Sequence, residues 1–256
     1  MKIKFIGTGS GITSLKRFHS SLLFSEPKYK LLIDAGDGIS KALLTQKISF
    51  NSINGIVISH LHPDHFSGLS SLIVQMKISG RRNDLNIFIH NNLVKLIKIY
   101  LYQSYIFNER LGFKLNYVGF EHEERIKLTT ELSFISKQNS HLDHYKAFDK
   151  GNTLSFSCSS FLFQYRDKDI FYSGDMGGKN DLYLFGDTKP KVLITEISHI
   201  DISDILTILR SFEKGKIILT HISDEDEIKL ERLFNSLNKK ELKRITTAYD
   251  GLTISI

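Results

Sequence analysis

Ser59-His60-Leu61-His62-Pro63-Asp64-His65 packs three of the chain's ten histidines and an aspartate into one short stretch. It follows Ile56-Val57-Ile58, a continuous apolar run of the kind that forms a buried strand. Imidazole and carboxylate are the ligands that suit zinc and related divalent ions. His60 and His62 leave the strand end on one side. Asp64 and His65 follow a bend fixed by Pro63 and can point at a second ion. One histidine in such a place fits a polar turn, whereas a His-x-His-x-Asp-His string fits a metal site.

Two ions need more ligands than one motif supplies, so further His or Asp residues are expected at other strand ends. Working outward, Asp34 ends the run Leu31–Ile33 in Asp34-Ala35-Gly36-Asp37-Gly38. His141 follows the strand expected at Leu132–Ser136, Asp175 follows Asp169–Ser173 through Gly174, and His221 ends Lys216–Thr220. His144 competes with His141 for its place; His141 is preferred because it directly follows the apolar strand. His19, His90 and His122 fall outside the set and read as surface or core histidines.

Around these points the pattern alternates short apolar runs with amphipathic stretches. Lys2–Gly7, Ser20–Ser25 and Lys30–Asp34 read as an antiparallel series, followed by a helix over Ile39–Gln46 and a strand over Ile56–Ser59. A helix starts at Pro63, with apolar positions Phe66, Leu69, Leu72, Ile73 and Met76 at helical spacing. Ile87–His90, Ser155–Tyr165, Val192–Glu196 and Leu252–Ile256 read as further strands. Leu93–Phe107, Ile202–Phe212 and Glu225–Leu237 read as helices. The tyrosines 100, 102 and 105 make Leu93–Phe107 either core or a dimer face. Strands flanking helices in both halves of the chain predict an α/β layered sandwich.

The 256 residues, 41% hydrophobic and 24% charged, exclude a disordered or fibrous chain, and no linker or repeat divides them. A single domain over 1–256 is expected. The lone cysteine, Cys158, excludes an intramolecular disulfide and a cysteine-built metal cage. There is no apolar run of transmembrane length, and the start Met1–Gly7 lacks the form of a signal peptide, so no membrane partner and a cytoplasmic location are expected. The net charge of +6 is compatible with a polyanionic partner. The basic residues are scattered, however, with short adjacent pairs such as Lys16-Arg17, Arg81-Arg82 and Lys239-Lys240, and read as a solvated surface.

The ordered set of Asp34, His60/His62/Asp64/His65, His141, Asp175 and His221 resembles the metallo-β-lactamase superfamily over nearly the whole chain. That resemblance implies a four-layer αββα sandwich with two divalent ions, zinc first, with manganese and iron also suited. His60, His62 and His141 would hold one ion, Asp64, His65 and His221 the other, and Asp175 both, with Asp34 behind them orienting a histidine. Phe5-Ile6-Gly7-Thr8-Gly9-Ser10-Gly11 and the acidic loop at Asp34 resemble the ribonuclease Z-like branch, as do Glu196 and His199, the latter 22 positions before His221. A phosphodiesterase or nuclease is therefore expected, with tRNA 3′-end cleavage within its range, RNA among its partners and a homodimer as its assembly. Asp64 would accept a proton from water, and His199 would assist the leaving group.

Three departures point to a smaller phosphodiester or another ester. Only 34 positions separate His141 from Asp175, too few for the long tRNA-clamping arm of many ribonuclease Z enzymes. Pro63 replaces the family's motif glycine, and Phe156–Phe163 lacks the Tyr-Gly-Tyr-like strand. A carboxyl-ester, lactone or thioester hydrolase, or a non-catalytic metal-binding relative, shares the same ligands.

Overall fold

The computed structural model describes residues 1–212 and 215–256. The chain forms two compact units, one of Met1–Glu121 with Tyr249–Ile256, the other of His122–Ala248.

The first unit holds a seven-stranded sheet. β1 (Lys2–Gly7), β2 (Ser21–Ser25) and β3 (Lys30–Ile33) pair antiparallel, and the last strand, Thr253–Ser255, adds antiparallel to β1. β4 (Gly55–Val57), β5 (Leu85–His90) and β6 (Leu115–Phe120) then continue from β3 in parallel. Parallel neighbours require crossovers. These are supplied by α1 (Ile39–Thr45), by α2 (Pro63–Phe66) with α3 (Leu69–Ile78), and by α4 (Asn91–Gln103). Leu93, Ile97 and Leu101 recur every four residues on α4 and are buried with Leu69, Leu72, Ile73 and Met76 of α3 against Ile56, Ile87 and Ile89 of the sheet. A short α5 (Asn108–Leu111) precedes β6.

The second unit repeats the plan. β7 (Arg125–Lys127), β8 (Leu132–Gln138), β9 (Ser159–Tyr165) and β10 (Lys168–Tyr172) pair antiparallel. β11 (Val192–Glu196), β12 (Lys216–Thr220) and β13 (Ile245–Thr247) continue from β10 in parallel. α6 (Ile202–Ser211) and α7 (Asp226–Ser236) bury Ile205, Ile208, Leu209, Leu230 and Leu233 beside Leu193, Ile217 and Leu219.

Several sequence expectations need correction. The helix expected from Pro63 is two helices, broken at Ser67-Gly68. The helix expected over Leu93–Phe107 stops at Gln103, and Tyr105 adopts a left-handed φ of 58°. Its Leu93/Ile97/Leu101 stripe is core, whereas Tyr102 and Tyr105 are exposed. The strand expected from Ser155 begins at Ser159. β6, β7 and β13 were not foreseen: β7 and β13 have three residues each, too few to show alternation, and β6 is only partly buried along its middle. No helix among the described residues is long and apolar enough to cross a membrane.

Candidate metal centre

Ligands in open α/β sheets gather outside the carboxyl ends of parallel strands, and both units place their acids and imidazoles there. In the first unit β3 ends at Ile33 and β4 at Val57, so Asp34 and the Ser59–His65 stretch leave neighbouring strands. Asp34 takes a left-handed φ of 61°, and its amide donates to Val57 O at 2.8 Å. Its fully buried carboxylate accepts from Ser59 N at 2.8 Å, Ser59 Oγ at 2.9 Å and His65 Nδ1 at 2.8 Å.

This network fixes two imidazoles. An ionised carboxylate only accepts, so His65 carries its proton on Nδ1 and leaves a lone pair on Nε2. Ser59 spends its single hydroxyl proton on Asp34. At 3.0 Å from Ser59 Oγ, His60 Nδ1 is therefore the donor, and His60 also presents Nε2 as a lone pair. His62 stands at the N-cap position of α2 just before Pro63, and its ring lies edge-on to His60 with centroids 4.7 Å apart. Asp64 Oδ2 lies 3.2 Å from His65 Nε2.

The backbone around these donors is crowded. Ala35 N donates to His65 O at 2.7 Å, and a Cβ on Gly36 would fall 1.8 Å from Asp64 O, so only glycine fits there. A Cβ on Gly11 would sit 3.2 Å from Asp64 Oδ2, so the glycine-rich loop leaves open the space beside that carboxylate. The loop is tied down by Asp250, which accepts from Thr8 Oγ1 at 2.7 Å and Phe18 N at 2.8 Å. Burial pushes the Asp250 carboxyl above its usual range, partly offset by these hydrogen bonds.

In the second unit the donors come from four strand ends. After β10, Gly174 turns the chain with φ 61° and delivers the buried Asp175. Asp175 Oδ2 lies 3.2 Å from His221 Nε2 and 3.7 Å from His141 Nε2. His141 Nδ1 faces Met176 O at 3.3 Å, which again leaves Nε2 as the free-electron nitrogen. Glu196, at the end of β11, accepts from Met176 N at 2.8 Å, His199 N at 3.0 Å and His199 Nδ1 at 2.8 Å. Donor atoms of Glu196, His199 and His221 lie within 4.8 Å of one another. The His199 side chain is 41% exposed, the Glu196 side chain 1%.

His144 is exposed, its ring tilted against that of Tyr145 with centroids 3.9 Å apart. The histidines outside the expected set have structural partners. His19 Nδ1 contacts Ser10 O, His90 Nδ1 accepts from Asn92 N to cap α4, and His122 Nε2 contacts Gln138 Oε1. Two supports escaped sequence reading. Asn139 donates to Asp175 O at 2.9 Å and accepts from His141 N at 3.2 Å. Buried Asp181 accepts from Ser140 Oγ at 2.8 Å and Gly177 N at 2.8 Å. The 41-residue separation between Ser140 and Asp181 left no local pattern to find.

Residues 1–239 match the family described as "Anti-Pycsar protein Apyc1". The chain belongs to that family. This Apyc1-family chain is 33% identical over 131 residues to the ribonuclease Z of Saccharolobus solfataricus, covering 51% of the chain and 44% of that protein. Its matches span only 32% and 44% of the length of the first curated relatives. Among solved structures it resembles the metallo-β-lactamase fold protein YhfI from Bacillus subtilis, with a TM-score of 0.73 and 16% identity over 99% of this chain and 98% of that one. It also resembles the short form of human tRNase Z, with a TM-score of 0.72 and 18% identity over 100% and 99%. The α/β metallo-β-lactamase fold and the ribonuclease Z-like resemblance expected from the motifs are borne out.

Proposed function

We propose that this chain, acting as one domain over 1–256, is a divalent-metal-dependent phosphodiesterase that prefers small phosphodiesters to tRNA precursors. The carrying observation is the donor chemistry: imidazoles locked with a lone pair on Nε2, beside carboxylates, at parallel strand ends. Such a set fits zinc, and also manganese or iron. His60, His62 and His141 are assigned to one ion, Asp64, His65 and His221 to the other, and Asp175 to both.

Bound divalent ions lower the pKa of water and stabilise charge building at phosphorus. Asp64, beside the space that Gly11 leaves open, accepts the proton of the attacking water. His199, its Nδ1–H held by Glu196, carries its second proton on Nε2 and delivers it to the leaving oxygen. Glu196 keeps that ring in one tautomer and stabilises its protonated form. Asp34 acts from behind through His65 and Ser59. The ribonuclease Z relative supports the phosphodiester class. The 34-position interval from His141 to Asp175, which holds a short 3-10 helix at Asp143–Phe148 and the strands β9 and β10, favours a small substrate.

The test is turnover of bis-p-nitrophenyl phosphate, cyclic nucleotides and precursor tRNA by cytoplasmically expressed, metal-loaded protein. Light scattering of the same sample reads whether it is the expected homodimer. Phosphodiester cleavage lost by about 10²–10⁴-fold in Asp64→Ala is the expected result. Cleavage of a carboxyl or thioester substrate in place of any phosphodiester would overturn the proposal.

A further inference from the structure

His199 and His221 sit on separate loops, and both loops meet the first turns of α7. Glu196 and Thr220 are register partners on β11 and β12, so the loops leave the sheet side by side. Asp226, the first residue of α7, accepts at Oδ2 from Ser223 N at 2.9 Å and Ser223 Oγ at 2.8 Å, which fixes the chain just past His221. Ser198 Oγ lies 2.8 Å from His221 O and 3.1 Å from the same Asp226 oxygen, which joins the two loops directly. Almost one turn further along α7, Lys229 Nζ donates to both Ile197 O and Ile200 O, the carbonyls on either side of Ser198-His199.

The side chains of Ile197 and Ile200 are buried with Leu230 and Leu233 of α7. The loop is thus held by its side chains in the core and by its carbonyls on one ammonium. A charged donor to a carbonyl is stronger than a neutral one, and two carbonyls on one cation fix the 197–198 and 200–201 peptides that bracket the His199 segment. Glu196 sets the rotation of the imidazole, but only if the backbone presents the ring within its reach.

We propose that Lys229, with Asp226, is a positioning residue that holds the His199 loop in the geometry for proton delivery. This rests on the reading of His199 as the proton donor. Neither residue touches the reacting atoms; their effect passes through the backbone of 197–201 and 221–223.

The experiment compares Lys229→Met, which keeps the apolar stem, with Lys229→Arg, which keeps a cationic donor, and with His199→Ala as reference. Two substrates are used: bis-p-nitrophenyl phosphate, whose leaving group departs unprotonated, and a diribonucleotide, whose ribose oxygen needs a proton. His199→Ala should lose about 100-fold in kcat on the diribonucleotide and little on the activated ester. Lys229→Met should repeat that pattern at roughly tenfold, since small misplacement of a catalytic group is costly. KM and bound metal should stay unchanged, and Lys229→Arg should recover most of the loss. Amide hydrogen exchange at 198–201 should quicken by about tenfold in Lys229→Met at an unchanged melting temperature. Equal losses on both substrates, or unchanged exchange at 198–201, would overturn the inference. Should His199→Ala show no leaving-group dependence, the proton-donor reading fails, and the exchange data alone decide whether Lys229 holds the loop.

Discussion

The two units reach the same chemistry by opposite routes. The first concentrates its donors on one turn and lets a single carboxylate, Asp34, hold Ser59, His65 and, through Ser59, His60. The second gathers donors from four strand ends and divides their support among Asn139, Asp181, Glu196 and the start of α7. Local concentration gives dense order but no redundancy, because one group's loss reaches both His60 and His65. Distribution spreads the dependence, so any single support matters less.

If that contrast is right, the largest effect comes from the crowded turn. Gly36→Ala puts a methyl group 1.8 Å from Asp64 O, a backbone atom that cannot swing away. A loss above about 4 kcal/mol is expected, a size reserved for named structural failures. It should be read as a melting-temperature drop of about 10 °C or more. A smaller effect separates the units more sharply. Asp34→Ala leaves three buried donors without their acceptor, at about 1–3 kcal/mol each, and should cost about 3–5 kcal/mol together with bound metal. Asp181→Ala, in the distributed half, should cost about 1–3 kcal/mol and leave most of the metal in place. Thermal melts with elemental analysis check both; equal losses would erase the contrast.

The smallest effect asks whether every strand-end histidine of the first sheet belongs to the site. His90 ends β5 and caps α4, and burial pushes its imidazole pKa below the usual value despite the pull of Glu121. The unfolded chain therefore binds its proton more readily, so stability is full above the ordinary imidazole pKa and falls as pH drops through it. His90→Asn keeps a cap acceptor without a titrating group. The melting temperature of the native chain relative to His90→Asn should decline by about 1–3 °C between roughly pH 7.5 and 5, with metal content unaltered.

What could be read beforehand follows the same division. The concentrated half was legible because chemistry and proximity in sequence coincide at His60–His65, and Asp34 stood out by ending an apolar run. Asp175, Glu196 and His221 were legible only as strand ends, which required the strands to be placed first. Asp181, Asp226 and Lys229 look like ordinary surface charges on short turns and helices. Their role exists only once loops far apart in sequence, such as 197–200 and 226–229, are brought together. The helix break at Ser67-Gly68 escaped notice because the apolar spacing on either side runs on in phase.

The strand Thr253–Ser255 pairs with β1, and Asp250 grips Thr8 and Phe18. A ribosome makes residue 8 long before residue 250, so the first unit waits, one edge open and its glycine loop untethered, while all of the second is synthesised. Stalled or clipped chains ending near residue 245 would carry every proposed ligand yet expose β1 as an unpaired edge. Such fragments should self-associate through that edge.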